Sequence, residues 1–307
     1  MGNGFFAKIF GKSKDNQENK MEQVEQPGKM NYEQLAGKII ERLKNQTLKQ
    51  SVEMLYTKKE AGLTESKLSG VPFIPIGGEY PVEAGTGKKL YLLVQINFAE
   101  MPHISDYPKE GILQIFIGAD DYYGCDLDDG QNQEKWKIIY HKDLSQPMTK
   151  EEIVAMMPDM DEDADALPFE NPGEEYRIGF KKVEVPISYS DINLTNRIQE
   201  LCDDILPDDL KECDWVDYPD EMTRLLEDAL NGSGSRVGGY PIFTQSDPRD
   251  CQMLQNYELL LQIDSDEDSD GENVIMWGDF GVANFFIDPA DLKRGDFSRV
   301  YYNWDCG

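Results

Sequence analysis

Two glutamines set in apolar runs are the first residues from which chemistry could start. Gln95 lies in Leu92-Leu93-Val94-Gln95-Ile96-Asn97, and Gln262 lies in Leu259-Leu260-Leu261-Gln262-Ile263-Asp264. An amide buried in such a strand has two donor and two acceptor positions to satisfy. It either ties the strand to a neighbouring loop or serves as a polar handle in a pocket. Trp277-Gly278-Asp279 is a second candidate, because a strand glycine permits close backbone approach and an aspartate can bond the next turn. It reads as a structural corner or, together with Arg236, as a ligand-facing cluster. The candidate ligand-binding set is therefore Gln95, Gln262, Arg236, Trp277 and Asp279.

A third candidate is metal-like. Asp266-x-Asp268-x-Asp270-Gly271 matches the first half of a calcium loop, in which alternating oxygens and a glycine wrap a hard cation. The twelfth position is Trp277 rather than glutamate, and the flanking segments read as strands, so an EF-hand is excluded. Asp266, Asp268 and Asp270 are left as a weak Ca²⁺ site on an acidic hairpin tip, and no other cofactor is expected.

Other constellations fail. His103 and His141 are the only histidines, and neither has a partner at metal-ligand spacing. Gly85-Thr86-Gly87-Lys88-Lys89 lacks the glycine at position 82 and the hydroxyl at position 89 that a phosphate loop needs, and it reads as a hairpin turn. The serines of Gly232-Ser233-Gly234-Ser235 are not flanked as in a nucleophile elbow. Cys125, Cys202, Cys213, Cys251 and Cys306 form no Cys-x-x-Cys pair, which argues against a zinc site or a disulfide framework. No catalytic residue is assigned, and the balance leans against an enzyme.

The 307 residues carry 59 Asp and Glu against 30 Lys and Arg, a formal charge of −29. Such a chain repels nucleic acid and steers basic partners toward it. With 10% aromatic residues it can bury a sizeable core rather than remain disordered. The charge is uneven: residues 1–60 hold 11 basic and 8 acidic side chains, whereas residues 119–175 hold 4 and 17. No apolar run reaches the roughly 18 residues that would span a membrane. The N-terminal apolar core is too short for a secretory signal, and a cytoplasmic location is expected. Residues 1–30 read as a basic, polar tail and linker. Phe5, Phe6, Ile9 and Phe10 among Lys8, Lys12 and Lys14 are a weaker candidate for membrane contact.

The elements that must position these residues follow from periodicity. Leu35, Ile39 and Leu43, then Leu48, Val52 and Leu55, predict helix over 31–57 with a polar break at Asn45. Strands are predicted at Leu90–Asn97, Ile112–Gly118, Trp136–His141 and Tyr176–Val185, and later at Tyr257–Asp264, Asn273–Trp277, Val282–Ile287 and Arg299–Asn303. Between them, Thr149 and Glu152 form a capping box opening Ile153–Met157. Ser190 is placed as the cap of Ile192–Leu201, and a further helix covers Asp220–Leu230.

The order repeats. Gly70-Val71-Pro72, the Gln95 run and Gly111-Ile112-Leu113-Gln114-Ile115-Phe116-Ile117 recur as Gly239-Tyr240-Pro241, the Gln262 run and Gly281-Val282-Ala283-Asn284-Phe285-Phe286-Ile287. The offsets of Pro72 to Pro241, Gln95 to Gln262 and Gly111 to Gly281 are 169, 167 and 170 residues. A structural duplication is expected, with repeats near 67–120 and 236–290 inside one domain over 31–307. The fold class is α+β: two duplicated antiparallel β-sheet halves with peripheral helices.

At these residues the chain resembles the bacterial YwqG-like family of unknown function. The resemblance rests on Gly70-Val71-Pro72, Pro75, Tyr80-Pro81, Gln95-Ile96-Asn97, Gly239-Tyr240-Pro241, Gln245 and Leu259–Asp264. It continues through Trp277-Gly278-Asp279-Phe280-Gly281, Phe285-Phe286-Ile287, Asp291-Leu292 and Asp296-Phe297-Ser298, and it covers roughly residues 35–306. Tyr80 stands where the family usually has tryptophan, and Ser69 where a second glycine is common. The resemblance implies duplicated antiparallel sheets in an α+β fold and supplies no activity. On charge, the leading expectation is a non-enzymatic acidic interaction module for a basic protein, an immunity or inhibitor role being one concrete form. The alternatives are a small-ligand or Ca²⁺-binding module and, behind it, a carboxylate- or metal-dependent enzyme.

Overall fold

The computed structural model describes residues 31–160 and 163–307, so the expectations for the N-terminal tail lie outside the described residues. Tyr32–Gly307 form one compact unit. The chain runs α1 (Tyr32–Gln46), β1 (Lys49–Lys58), β2 (Lys67–Leu68), β3 (Tyr91–Asn97), β4 (Ile112–Ile117), β5 (Trp136–His141), α2 (Lys150–Met156) and β6 (Tyr176–Val185). It continues with α3 (Leu194–Cys202), α4 (Asp220–Ala229), β7 (Arg236–Gly238), β8 (Glu258–Asp264), β9 (Asp266–Glu267), β10 (Asn273–Ile275), β11 (Val282–Ile287), α5 (Pro289–Arg294) and β12 (Tyr301–Asp305). The class is α+β. Among the described residues no helix is long and apolar enough to cross a membrane.

Ten strands form one antiparallel sheet in the order β12-β11-β8-β7-β1-β6-β2-β3-β4-β5, and β9 pairs with β10 apart from it. The expectation of two sheet halves is corrected to one continuous sheet. The reason is the central pair: β1 and β6 run alongside one another over ten residues, from Lys49 opposite Val185 to Lys58 opposite Tyr176. β7 joins the outer side of β1, and β2 joins the outer side of β6. On each flank the strand next outward, β3 or β8, carries a bulge at the second leucine of its run, Leu93 or Leu260. An extra residue there sharpens the local twist.

The sheet curls until its ends meet. Trp136 of β5, at one end, lies 5.9 Å from the ring of Phe285 in β11 and 5.5 Å from that of Tyr302 in β12, at the other. The acidic loop before β5 laces across the gap. Tyr302 N donates to Gly130 O at 3.0 Å, and Trp304 Nε1 donates to Tyr122 O at 2.9 Å. The enclosed face holds the main core, with contributions from β1, β3, β4, β6, β8 and β11. On the outer face α1, α3 and α4 enclose a second apolar cluster around Ile39, Leu194 and Leu226.

The predicted continuation of α1 to residue 57 is also corrected. Val52, Met54 and Tyr56 are 0%, 3% and 2% exposed, whereas Leu48 and Leu55 are 47% and 53% exposed. Alternation, not a spacing of three or four, governs this segment. Cross-strand bonding to β6 and β7 settles it. Ser190 is not a helix cap either: Asn193 holds that position, and Ser190 Oγ accepts from Phe243 N at 3.2 Å. The capping box of Thr149 and Glu152 is present at the start of α2.

Alternation in β1 has a direct consequence. Met54→Lys should place an unpaired charge in the enclosed core and cost several kcal/mol, on the order of 3–5. Leu55→Lys should change stability by no more than about 0.5 kcal/mol. Urea unfolding followed by circular dichroism distinguishes them, and equal losses would contradict the strand.

Candidate functional site

The two predicted glutamines do the same work on opposite flanks of the sheet. Gln95 is 0% exposed. Its Oε1 accepts from Phe73 N at 2.8 Å, and its Nε2 donates to Leu63 O and Glu65 O, both at 2.8 Å. Gln262 is likewise 0% exposed. Its Oε1 accepts from Ile242 N at 2.9 Å, and its Nε2 donates to Gly232 O at 3.0 Å and Gly234 O at 2.8 Å. The neighbouring strand supplies a second amide on each side. Gln114 Nε2 donates to Phe73 O at 2.8 Å, and Asn284 Nδ2 donates to Ile242 O at 2.8 Å. Each loop is therefore gripped by both the N–H and the C=O of one residue. On the first flank His141 completes the chain: its Nε2 lies 3.0 Å from Gln114 Oε1, and burial pushes its pKa below the ordinary 6.5.

The loop gripped by Gln262 and Asn284 forms one wall of an acidic cleft of about 790 Å³. Its course is fixed at several further points. Thr244 N and Gln245 N donate to the two oxygens of Asp305, each at 3.0 Å. Arg249 is 5% exposed and pairs with Asp191 at 2.9 Å and Asp247 at 2.5 Å. Burial alone would lower the pKa of this guanidinium. Bonding to Asp247 and the field of Asp191 outweigh that and hold it firmly protonated. Its face also stacks 5.2 Å from the centre of the Phe286 ring.

Around this base stand Asp214, Glu227 and Asp250, all exposed, and the rings of Tyr189 and Trp215, which meet edge to face at 6.5 Å. Val216 and Ile192 are 60% and 39% exposed at the same cleft. Among the described residues that line it, none is a lysine or arginine. The arrangement offers carboxylates to a cation and aromatic and aliphatic surface to the stem that carries it. The carboxylates lie far apart in sequence, and acidic residues abound in this chain, so spacing gave no signal for them. The hints were Arg249, a basic residue within Asp247-Pro248-Arg249-Asp250, and the loop motif before it.

The remaining predicted residues go elsewhere. Trp277 is 0% exposed and packs edge to face on Tyr123 at 5.2 Å, while Asp279, two residues on, is exposed. Gly281 N donates to Trp277 O at 2.7 Å, closing a tight corner. The Arg236 guanidinium is turned onto its own loop, bonding Ser233 O and Gly234 O. Two of the three calcium-loop aspartates are occupied by their own turn or its neighbour. Asp266 accepts from Ser235 N at 3.2 Å, and Asp268 accepts from Asp270 N at 2.9 Å and Glu272 N at 3.2 Å. Among the described residues no group of three or more His, Cys, Asp or Glu side chains is arranged to hold a metal ion, Asp266, Asp268 and Asp270 included.

A family model described as a domain of unknown function, DUF1963, matches residues 66–306, beginning just before β2 and ending just after β12. None of the curated proteins matches the chain.

Two outcomes follow from the amide network. Gln262→Leu leaves the Ile242 N–H and the Gly232 carbonyl without the amide, and leaves the Gly234 carbonyl with Arg236 Nε alone, and should lower unfolding free energy by about 2–4 kcal/mol in urea titration; a neutral result would contradict the grip. His141 is held neutral by burial, so the native state takes up its proton at lower pH than the unfolded chain does. Its contribution is fully present above pH 6.5 and is lost as pH falls below that value. His141→Gln should remove that part of the pH dependence, read from melting temperatures across the acid limb.

Proposed function

The chain belongs to the DUF1963 family, whose function is unassigned, and from that premise we propose that it is a non-enzymatic interaction module that receives a basic side chain of a protein partner in the acidic cleft. The observation that carries this reading is the cleft's composition. Asp214, Glu227 and Asp250 stand exposed around Tyr189 and Trp215, over an Arg249 already consumed by two buried aspartates. A lysine or arginine entering there meets carboxylates at its head and ring faces along its stem. The chain's charge of −29 raises the encounter rate of such a partner. An immunity or inhibitor role against a basic toxin is one form this takes.

The same proposal includes the internal duplication and the YwqG-like kinship. Matching amide grips on the two flanks support the duplication, as do matching bulges at Leu93 and Leu260. Ser66 Oγ accepting from Asn97 N, and Ser235 Oγ from Asp264 N, support it further. A cytoplasmic setting is supported by five unpaired cysteines.

The test uses a short arginine-rich peptide labelled for fluorescence anisotropy. The cleft variant Asp214→Asn/Glu227→Gln/Asp250→Asn should weaken binding by at least about tenfold. A control variant, Asp128→Asn/Glu267→Gln/Asp270→Asn, removes the same charge from exposed positions elsewhere and should weaken it less than about threefold. Equal losses in the two variants, or binding unchanged between about 0.05 M and about 1 M salt, would refute the cleft as the site.

A further inference from the structure

The corner Trp277-Gly278-Asp279-Phe280-Gly281 lies outside the acidic cleft and holds one side chain in an unfavourable way. Phe280 is 72% exposed and sits at φ +52°, in the left-handed region where a bulky side chain is disfavoured. Gly278, two residues before it, takes φ +55° without that penalty. Tyr123 also has φ +52°, but its ring packs edge to face on Trp277 at 5.2 Å and on Trp304 at 4.8 Å, which offsets the strain. Phe280 gains no such cover. A strained and exposed aromatic ring contributes nothing to the stability of the chain alone.

Other apolar surface is stitched to the same corner. A methyl group added at Gly278 would lie 3.4 Å from Trp304 Cζ3 and 2.8 Å from Cys306 Sγ, so the corner rests against the end of β12. Gly307 N donates to Asp279 O at 3.2 Å, and Gly278 N donates to Tyr123 OH at 3.4 Å. Trp304 is half-buried, and its Nε1 donates to Tyr122 O at 2.9 Å. Tyr122 is 50% exposed and, with the exposed Leu127, lines a cavity of about 400 Å³. Charge around these segments has one sign. Residues 120–127, 276–281 and 301–307 contain Asp120, Asp121, Asp126, Asp279 and Asp305 and no lysine or arginine. Lys135, the next basic residue along the chain, already pairs with Asp120 at 2.9 Å. The cavity of about 510 Å³ beside the Gln95 loop is different, because Lys58, Lys59 and Lys150 line it together with Glu60, Glu174 and Glu175.

We propose that Phe280, Trp304 and Tyr122 form a docking surface for an apolar segment of a protein partner that carries basic residues at its ends. Aromatic side chains on a fixed base are the type that dominates protein interfaces, and exposed apolar surface rimmed by charge is where they dock. Charge complementarity selects the occupant. A second copy of this chain would set aspartates against aspartates, and an anionic lipid surface would be repelled in the same way. A lysine or arginine beside Asp121 and Asp279, both exposed, is attracted. None of these residues lines the acidic cleft, so the surface stands independently of the role given to the cleft.

The test titrates the ¹⁵N-labelled full chain with three capped peptides, followed by NMR. Lys-Phe-Pro-Pro-Leu-Lys carries both features, Lys-Ser-Gly-Gly-Ser-Lys keeps only the charge, and Glu-Phe-Pro-Pro-Leu-Glu keeps only the apolar centre. The first should bind saturably, with Kd of about 0.1–1 mM, and at least about tenfold more tightly than either of the others. It should shift the indole N–H resonance of Trp304 and leave that of Trp215, in the acidic cleft, in place. Phe280→Asn should weaken binding by at least about fivefold and should not lower the melting temperature, because asparagine tolerates the left-handed region. The cleft variant Asp214→Asn/Glu227→Gln/Asp250→Asn should weaken this peptide by less than about threefold. The assignment is overturned by a response still unsaturated at about 10 mM peptide, or by either partial peptide binding as tightly as the first. A shift at Trp215 without one at Trp304 would overturn it too. A fall in melting temperature for Phe280→Asn would make the ring structural, and dimers in sedimentation that Phe280→Asn dissociates would give the surface to a second copy; either result rejects the proposal.

Discussion

A primary amide buried on an apolar strand must satisfy both its oxygen and its nitrogen, and this requirement organises the surface of the protein. Gln95 and Gln262 meet it by gripping backbone that is not otherwise part of the sheet. The loops so held, one through Phe73 and the other through Ile242, are walls of two clefts. Removing water from an amide is repaid only when partners are in place at folding. The loops are therefore as fixed as the strands beneath them, which suits walls that present side chains to a ligand.

The second constraint is curl. A ten-stranded twisted sheet left open would expose one apolar face; here the ends close on one another through Trp136, Phe285 and Tyr302, and that face becomes the core. Closure moves the polar work to the outer face and the rims. The acidic loop before β5 spends backbone hydrogen bonds in bridging the two ends, through Gly130 and Tyr122. Part of the acidic stretch is thus a clasp as well as a source of charge. The two then differ in charge: the cleft beside the Gln262 loop presents exposed carboxylates over the buried Arg249 with its aspartates, and the cavity beside the Gln95 loop balances Lys58, Lys59 and Lys150 against Glu60, Glu174 and Glu175.

Much of this was legible in local pattern. The strands around Gln95 and Gln262 are long apolar runs broken by one amide, and no other element type accommodates that as well. The capping box of α2 needed only Thr149 and Glu152. β1 was misread because Leu48, Val52 and Leu55 happen to fall at helical spacing; its alternation appears only once β6 and β7 are there to bury Val52 and Met54. Ser190 has the residue type of a helix cap, yet its hydroxyl is claimed by Phe243 N from a loop more than fifty residues away. Trp277 and Asp279 are two residues apart in sequence and separate in exposure, because a tight corner turns one into the core and the other to water.

The sequence by itself determined the α+β class, the position of most strands, the repeated order of motifs and the strong negative charge, because each of these rests on periodicity or composition within a short window. It also marked the amides as expensive. Which backbone they would grip, how the strands would join into one curled sheet and which carboxylates would share a cleft were decided by the tertiary structure. Those choices depend on pairings between residues far apart in the chain, whose strength comes from exclusion of water and from geometry, neither of which a local pattern of residue types contains.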